Sequence, residues 1–497
     1  MKNSVAIVLL IIVAICADAC SGKDNTKSWN ESEPAVITGY IRNQKIYPQC
    51  KSITVSMPFF DRIDFSYTTE IDSNGFFKME VYPYYEREIS MLPYIDRFLI
   101  APGDSLIIEI DFSDLSKIKF SGKSGWDNAC LHSFYTHIDY NYWPIDNTIG
   151  VNGFSDALDR ELCLKLERFN EWEKENCPSD KIITICKRQI MTSYWIHKIE
   201  GLFKLSHNIS YDINQFVDFS AIEKLFEEST ISADCFKLSR VLESAVSTIQ
   251  SQEEKKQLAA MIDGGRVKDA VSHILSVQQN NLKNRFLREM LTASLLHRFL
   301  ENNQTERFTE CMDVFENSIH HPLLKNQLAK LYTKKIDFKK HPKRVSDLLV
   351  KAGSSDGMAM NMINNEGVSL LEQLVSENPG KALYITVGAF WCHTCLADLP
   401  YKNALVEKTD SRNILIVSLY LDSREEHERI LNYNGLTDKT VKKFVNKSQS
   451  RGLDAIFHLN AIPFFFVIDK DGRLVDYGMH LRPSYQETMD LLDKLSS

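Results

Sequence analysis

Beyond its first twenty residues the sequence has no long apolar run, and nowhere does it carry a basic face with interleaved aromatics, a second close pair of cysteines or a clean internal repeat. Without about 20 consecutive apolar residues, nothing downstream of the amino terminus can cross a bilayer as a helix. A formal charge of -8 over 497 residues, with no basic face carrying interleaved aromatics, excludes nucleic acid as a partner, because phosphate contacts demand clustered cations. The most basic stretch, residues 334–344, reads as a solvated linker. A four-thiolate zinc site needs two close cysteine pairs, and nine of the eleven cysteines are scattered singly, so no metal and no cofactor is expected. The absence of a repeat period leaves a solenoid unsupported.

What is present begins with an export signal over residues 1–19. Lys2 precedes an apolar run at 5–15 that is too short for a permanent span, and small residues lead to Cys20. Ala17-Asp18-Ala19-Cys20 fits the A-x-A site of an ordinary signal peptidase, and it also fits an imperfect lipobox in which Cys20 is acylated. The polar stretch at 20–33 resembles the tether of a bacterial lipoprotein and favours acylation. The expectation is a protein of the cell envelope held to a membrane by lipid on Cys20, with the choice of membrane open. Removing Cys16 and Cys20 leaves Cys50, Cys130, Cys163, Cys177, Cys186, Cys235 and Cys311 besides one close pair. Seven is odd, and isolated cysteines on amphipathic stretches read as small buried hydrophobes.

Three regions follow. Residues 34–122 hold short β-branched and aromatic runs at 36–41, 52–57, 76–81, 98–100 and 105–110, separated by turns such as Asp72-Ser73-Asn74-Gly75, and predict a small antiparallel β-sandwich. Residues 123–349 lose glycine and proline and repeat apolar residues at three and four, as in Phe308, Cys311, Met312, Phe315 and Ile319, so this region is mainly helical. Pro178 and Pro322 mark helix starts there, and Gly264-Gly265 a break. His320-His321 are adjacent and point apart on a helix, which makes them poor metal ligands. Residues 350–497 alternate strands and helices: strands at 382–389 and 413–421, helices at 396–408 (interrupted by Pro400), 424–432 and 440–447, a hairpin through Asp469-Lys470-Asp471-Gly472, and a last helix at 485–495.

The chemistry sits where the first of those strands meets a helix, at Trp391-Cys392-His393-Thr394-Cys395. Helix starts expose unpaired backbone N–H groups and partial positive charge, so a cysteine there is stabilised as the thiolate that attacks disulfides. Cys392 is the candidate nucleophile. Cys395, one turn on, is placed to resolve a mixed disulfide by closing a Cys392–Cys395 bridge.

The amino-terminal β region, through Ile100-Ala101-Pro102-Gly103-Asp104-Ser105-Leu106 and Phe120-Ser121-Gly122, resembles that of thioredoxin-like lipoproteins from Bacteroidota. Residues 350–497 resemble a thioredoxin fold of the TlpA/ResA type, on W-C-x-x-C after a buried strand, Pro400 in the first helix, and Ile462-Pro463 followed by F-F-F-V-I-D-K-D-G-R-L-V. The resemblance implies a thiol-disulfide oxidoreductase of the envelope, with protein thiols and disulfides as substrates, an envelope electron donor and a link to cytochrome c biogenesis. It implies that Pro463 is a cis-proline facing the cysteines and that Ile462 offers backbone groups to an extended substrate. Trp391, His393, Thr394 and Phe464 complete the implied substrate surface. Thioredoxins carry a buried aspartate six residues before the first cysteine, where this chain has Thr386; the TlpA/ResA pattern puts an acid three residues after the second, where Asp398 stands. Asp398 is therefore the candidate proton acceptor for Cys395. His393-Thr394 stand where relatives often carry a proline, and a protonated His393 would stabilise the dithiol form, leaving the direction of electron flow open. Two other functions stay open: copper handling by Cys392, Cys395 and a histidine, against which the two-residue spacing argues, and a partner-binding lipoprotein with a vestigial site, against which the intact motif weighs.

Overall fold

In a computed structural model of the chain the described residues are 33–46, 50–59, 62–83, 85–91, 94–115, 117–143, 150–205, 215–226, 233–248, 252–348, 358–409, 413–434, 437–457, 459 and 462–495. The export signal and Cys20 lie outside them. They fall into two compact units, one of residues up to 296 with 310–329, the other of 297–309 with 330–497.

The first unit opens with β1 (Ala35–Arg42), β2 (Ser52–Phe59), β3 (Arg62–Glu70), β4 (Phe76–Val81), β5 (Arg87–Met91), β6 (Ile95–Ile100), β7 (Ser105–Asp111) and β8 (Lys119–Gly122). They form two sheets, ordered β4-β1-β7-β8 and β3-β2-β5-β6. Inward residues of both sheets, among them Ile37, Val55, Phe77, Phe98 and Ile108, share one core. The expected antiparallel pairing needs one correction: β1 and β7 run parallel, with Val36 opposite Ser105. A parallel neighbour requires a long crossover, and the chain from β2 to β6 supplies it.

Helices follow from Gly125–His137 onward. Glu88 of β5 ties sheet to helices, accepting from Gln189 Nε2 at 2.8 Å and from the Tyr135 hydroxyl at 2.6 Å. Gly264-Gly265 separates helices Gln252–Asp263 and Val267–Asn281, and Pro322 opens helix Pro322–Lys340, where its missing N–H costs nothing. Before that helix, the backbone N–H groups of His320 and His321 donate to Glu289 Oε2 at 2.9 and 2.7 Å. None of the seven isolated cysteines is in a disulfide. Cys130, Cys186, Cys235 and Cys311 are buried, whereas Cys163 and Cys177 are exposed, against the expectation that all would be core residues.

The second unit is built on one sheet ordered β11-β10-β9-β12-β13, from β9 (Ala382–Gly388), β10 (Ile414–Tyr420), β11 (Val441–Phe444), β12 (Phe464–Ile468) and β13 (Leu474–Tyr477). Its helices are labelled α1 (Met358–Glu377), α2 (His393–Ala397), α3 (Leu399–Thr409), α4 (Arg424–Asn434), α5 (Lys447–Phe457) and α6 (Gln486–Leu495). β9, β10 and β11 are parallel, β12 runs antiparallel to β9, and β13 runs antiparallel to β12, which is a thioredoxin-like arrangement. Strands buried on both faces read as continuous apolar runs. Leu383, Ile385, Val387, Phe464, Phe466 and Ile468 point to one face, under Leu371 and Leu374 of α1 and Phe457 of α5. Tyr384, Phe465 and Val467 point to the other, under Leu405 of α3 and Leu492 of α6. The β12–β13 turn closes because Asp469 Oδ1 accepts from the N–H groups of Asp471 (3.0 Å) and Arg473 (2.8 Å), with Gly472 at φ +75° as the turn demands.

One expectation is corrected here, and the interruption expected from Pro400 is located. Residues 440–447 hold the strand β11 at their start, not one helix. Asp438 accepts from the Thr440 N–H at 3.0 Å, and the chain then pairs with β10 as a lysine-bearing edge. The helix expected over 396–408 breaks at Asp398, two residues before Pro400, because Pro400 has no N–H to give the Leu396 carbonyl and its ring crowds it.

Candidate redox site

β9 runs out at Gly388, where a Cβ would stand 3.3 Å from Cys395 Sγ, so the bare glycine lets the cysteine pack on the strand end. The turn beyond is held by Asp422, whose Oδ2 accepts from the Phe390 N–H at 2.6 Å; burial pushes that carboxyl up. Cys392 is the N-cap of α2 and is joined to Cys395 in a disulfide, with their Cα atoms 5.3 Å apart. Two donors converge on Cys392 Sγ: the Cys395 backbone N–H at 3.2 Å and the Thr394 hydroxyl at 3.2 Å. The Ile462 carbonyl oxygen lies 3.5 Å from the same sulfur, and the Ile462–Pro463 peptide is cis.

Both cysteines are nearly covered, while Trp391 beside them is 70% exposed and His393 and Thr394 are exposed as well. Phe464 does not belong to this surface. Its ring packs 5.3 Å from that of Phe466 inside the core, so the substrate-groove role expected for it is withdrawn.

Asp398 is only 5% exposed, one turn beyond Cys395. Burial raises its carboxyl above the ordinary range, and Arg482 and Lys402 oppose that rise. Arg482 Nε stands 3.3 Å from Asp398 Oδ2. Tyr384 of β9 also feels the Asp398 charge and is itself driven up by burial. Thr386 lies 3% exposed beneath and donates to Ser418 Oγ at 3.1 Å.

Sequence reasoning missed Arg482, Lys402 and Asp438. Lys402 had a signal, since it follows Asp398 by four on one helical path. Arg482 and Asp438 are brought in by the fold from distant stretches and had none. Chemically, the arrangement holds a disulfide-bonded cysteine pair with donors aimed at the Cys392 sulfur and a buried carboxyl one turn past Cys395.

No protein-family model and no curated protein matches the chain. Among solved structures, one described as a thiol-disulfide oxidoreductase from Bacteroides vulgatus is 28% identical, over 24% of this chain and 82% of its own, at a TM-score of 0.22. A solution structure of a thiol-disulfide oxidoreductase from the same organism is 30% identical, over 24% of this chain and 77% of its own, at 0.22. A thioredoxin-family thiol:disulfide interchange protein from Chlorobium tepidum is 17% identical, over 24% of this chain and 84% of its own, at 0.21.

Proposed function

We propose that the chain is an envelope-located thiol-disulfide oxidoreductase that reduces protein disulfides through Cys392 and Cys395. The observation that carries this reading is the pair of donors on Cys392 Sγ, from the Cys395 N–H and the Thr394 hydroxyl, in a sulfur that shares a disulfide with its neighbour one turn away. Hydrogen bonds to an ionised acceptor stabilise it more than the neutral thiol, so these donors favour the thiolate.

In the reduced protein the Cys392 thiolate attacks one sulfur of a substrate disulfide, forming a mixed disulfide and releasing a substrate thiolate. Cys395 then gives its proton to Asp398 and attacks Cys392 Sγ, releasing the second substrate thiolate and leaving the Cys392–Cys395 disulfide. Two electrons have passed to the substrate, and a dithiol donor of the envelope must return two. Trp391, His393 and Thr394 form the face that meets the substrate, with the backbone at Ile462 and Pro463 opposite. The site uses no metal or other cofactor in this scheme. The envelope location rests on the apolar run at 5–15 and the small residues before Cys20, and acylation of Cys20 supplies the membrane tether.

The test is insulin-disulfide reduction with dithiothreitol as donor. The native chain accelerates precipitation of the insulin B chain, and Cys392→Ser abolishes the acceleration; equal rates with and without the native chain would remove the reading.

A further inference from the structure

Lys402 is the most unexpected group near the site. It sits on α3, is 5% exposed, and its ammonium donates to two hydroxyls, Ser418 Oγ at 3.2 Å and Tyr420 OH at 3.3 Å. Behind them stands Asp438, which accepts from Tyr420 OH at 2.7 Å and from Thr440 Oγ1 at 2.8 Å. Ser418 Oγ also accepts from the Thr386 hydroxyl at 3.1 Å and lies 2.8 Å from Thr440 Oγ1, closing a polar network under β9 and β10. Taking an ammonium out of water costs several kcal/mol unless charges and hydrogen bonds offset it. A methionine of similar length would fill the same space without that cost.

What a methionine could not do is act on Asp398. Lys402 lies four residues further along the helical path, its backbone N–H donating to the Asp398 carbonyl at 3.0 Å, so the two side chains leave the same side of that turn. The charged groups around them are Arg482 from the segment after β13 and Asp438 from the approach to β11, with the neutral phenols of Tyr420 from β10 and Tyr384 from β9. With Asp398 ionised, two acids face two bases and the buried set is neutral. When Asp398 takes the Cys395 proton the set becomes positive beside a new thiolate, which favours the transfer.

We propose that Lys402 is a positioning residue for the resolving step: its buried ammonium holds Asp398 as a carboxylate able to take the Cys395 proton, with Asp438 keeping the ammonium charged. This rests on the dithiol cycle proposed above. Burial pulls the Lys402 ammonium down and Asp438 and Asp398 push it back up, while burial acting against Asp438 is outweighed by Lys402 and by the bonds from Tyr420 and Thr440.

The test uses the full-length reduced chain and an aryl disulfide that releases a coloured thiolate. A first release reports attack by Cys392 and a second reports resolution by Cys395; Cys395→Ser, which keeps every other cysteine, gives the background. In the native chain the second rate rises with pH as Asp398 ionises. In Lys402→Met that rise moves to higher pH by about one unit, the first release is unchanged, and Lys402→Arg restores the native midpoint. Lys402→Gln, which keeps a donor toward Ser418 and Tyr420, gives the same upward move and replaces the methionine variant if that one does not fold. Native midpoints in Lys402→Met or Lys402→Gln, or an equal displacement in Lys402→Arg, would overturn the assignment. Loss of the first release in the native chain would instead overturn the dithiol cycle.

Discussion

At the scale of single residues, Asp398 carries the sharpest pH dependence. Its carboxyl is raised by burial against the opposing pull of Arg482 and Lys402. A carboxyl raised in the folded state holds its proton longer there than in the unfolded chain, so stability falls as pH climbs from the unfolded value through the folded one. Asp398→Asn removes that ionisation. The melting temperature of the variant, relative to the native chain, is expected to be level in acid and to gain as pH rises across this window. The same variant slows the second, resolving release roughly 100-fold and flattens its pH profile, as loss of a proton acceptor does. A native profile in Asp398→Asn would assign the residue to structure alone. Cys392 and Cys395 were legible in the sequence from their spacing at a helix start, and Asp398 from the family resemblance that places an acid three residues after the second cysteine. Arg482 and Asp438 were not, because nothing in a linear chain announces which loop will fold over a buried acid.

At the scale of elements, legibility followed burial. β9 and β12 are covered on both faces and read as unbroken apolar runs, so their positions were evident to within a residue. β3, with the sequence Arg-Ile-Asp-Phe-Ser-Tyr-Thr-Thr-Glu, alternates polar and apolar residues and was passed over, as was the four-residue β8. β11 misled because Lys442-Lys443 on an edge strand look like a solvated helix face. The same contrast predicts energies. Phe466 lies fully buried in β12, its ring 4.8 Å from that of Phe457 on α5. Phe466→Ala is expected to cost about 3–5 kcal/mol. Val441 on the edge strand is 42% exposed, and Val441→Ala should stay within about 0.5 kcal/mol. Urea unfolding of the two variants checks the difference, and similar midpoints would contradict the placement of β12 in the interior of the sheet.

At the scale of the whole molecule, composition argues against nucleic acid as a partner, and the amino terminus carries the expectation of an envelope location. The helical character of residues 123–349 was legible from the three-and-four spacing, but its packing was not. Ties such as Glu88 to Gln189 join residues about a hundred positions apart. Among the described residues no helix is long and apolar enough to cross a membrane, and the tether proposed above is lipid on Cys20. Expressed in a bacterium with its own amino terminus, the native chain is expected in the detergent phase of a phase-separation extraction and Cys20→Ser in the aqueous phase. Equal partitioning of the two would remove the lipid tether while leaving the redox proposal standing.

The central claim is that Cys392 is the sulfur that meets substrate and Cys395 the one that frees it. Trapping tests it most directly. In Cys395→Ser the mixed disulfide cannot be resolved, so after exposure to an oxidised protein substrate, alkylation and proteolysis, mass spectrometry should find substrate peptide linked to Cys392. In the native chain such adducts should be scarce and the Cys392–Cys395 disulfide abundant. Adducts spread over the exposed Cys163 and Cys177, or none at Cys392, would contradict the account.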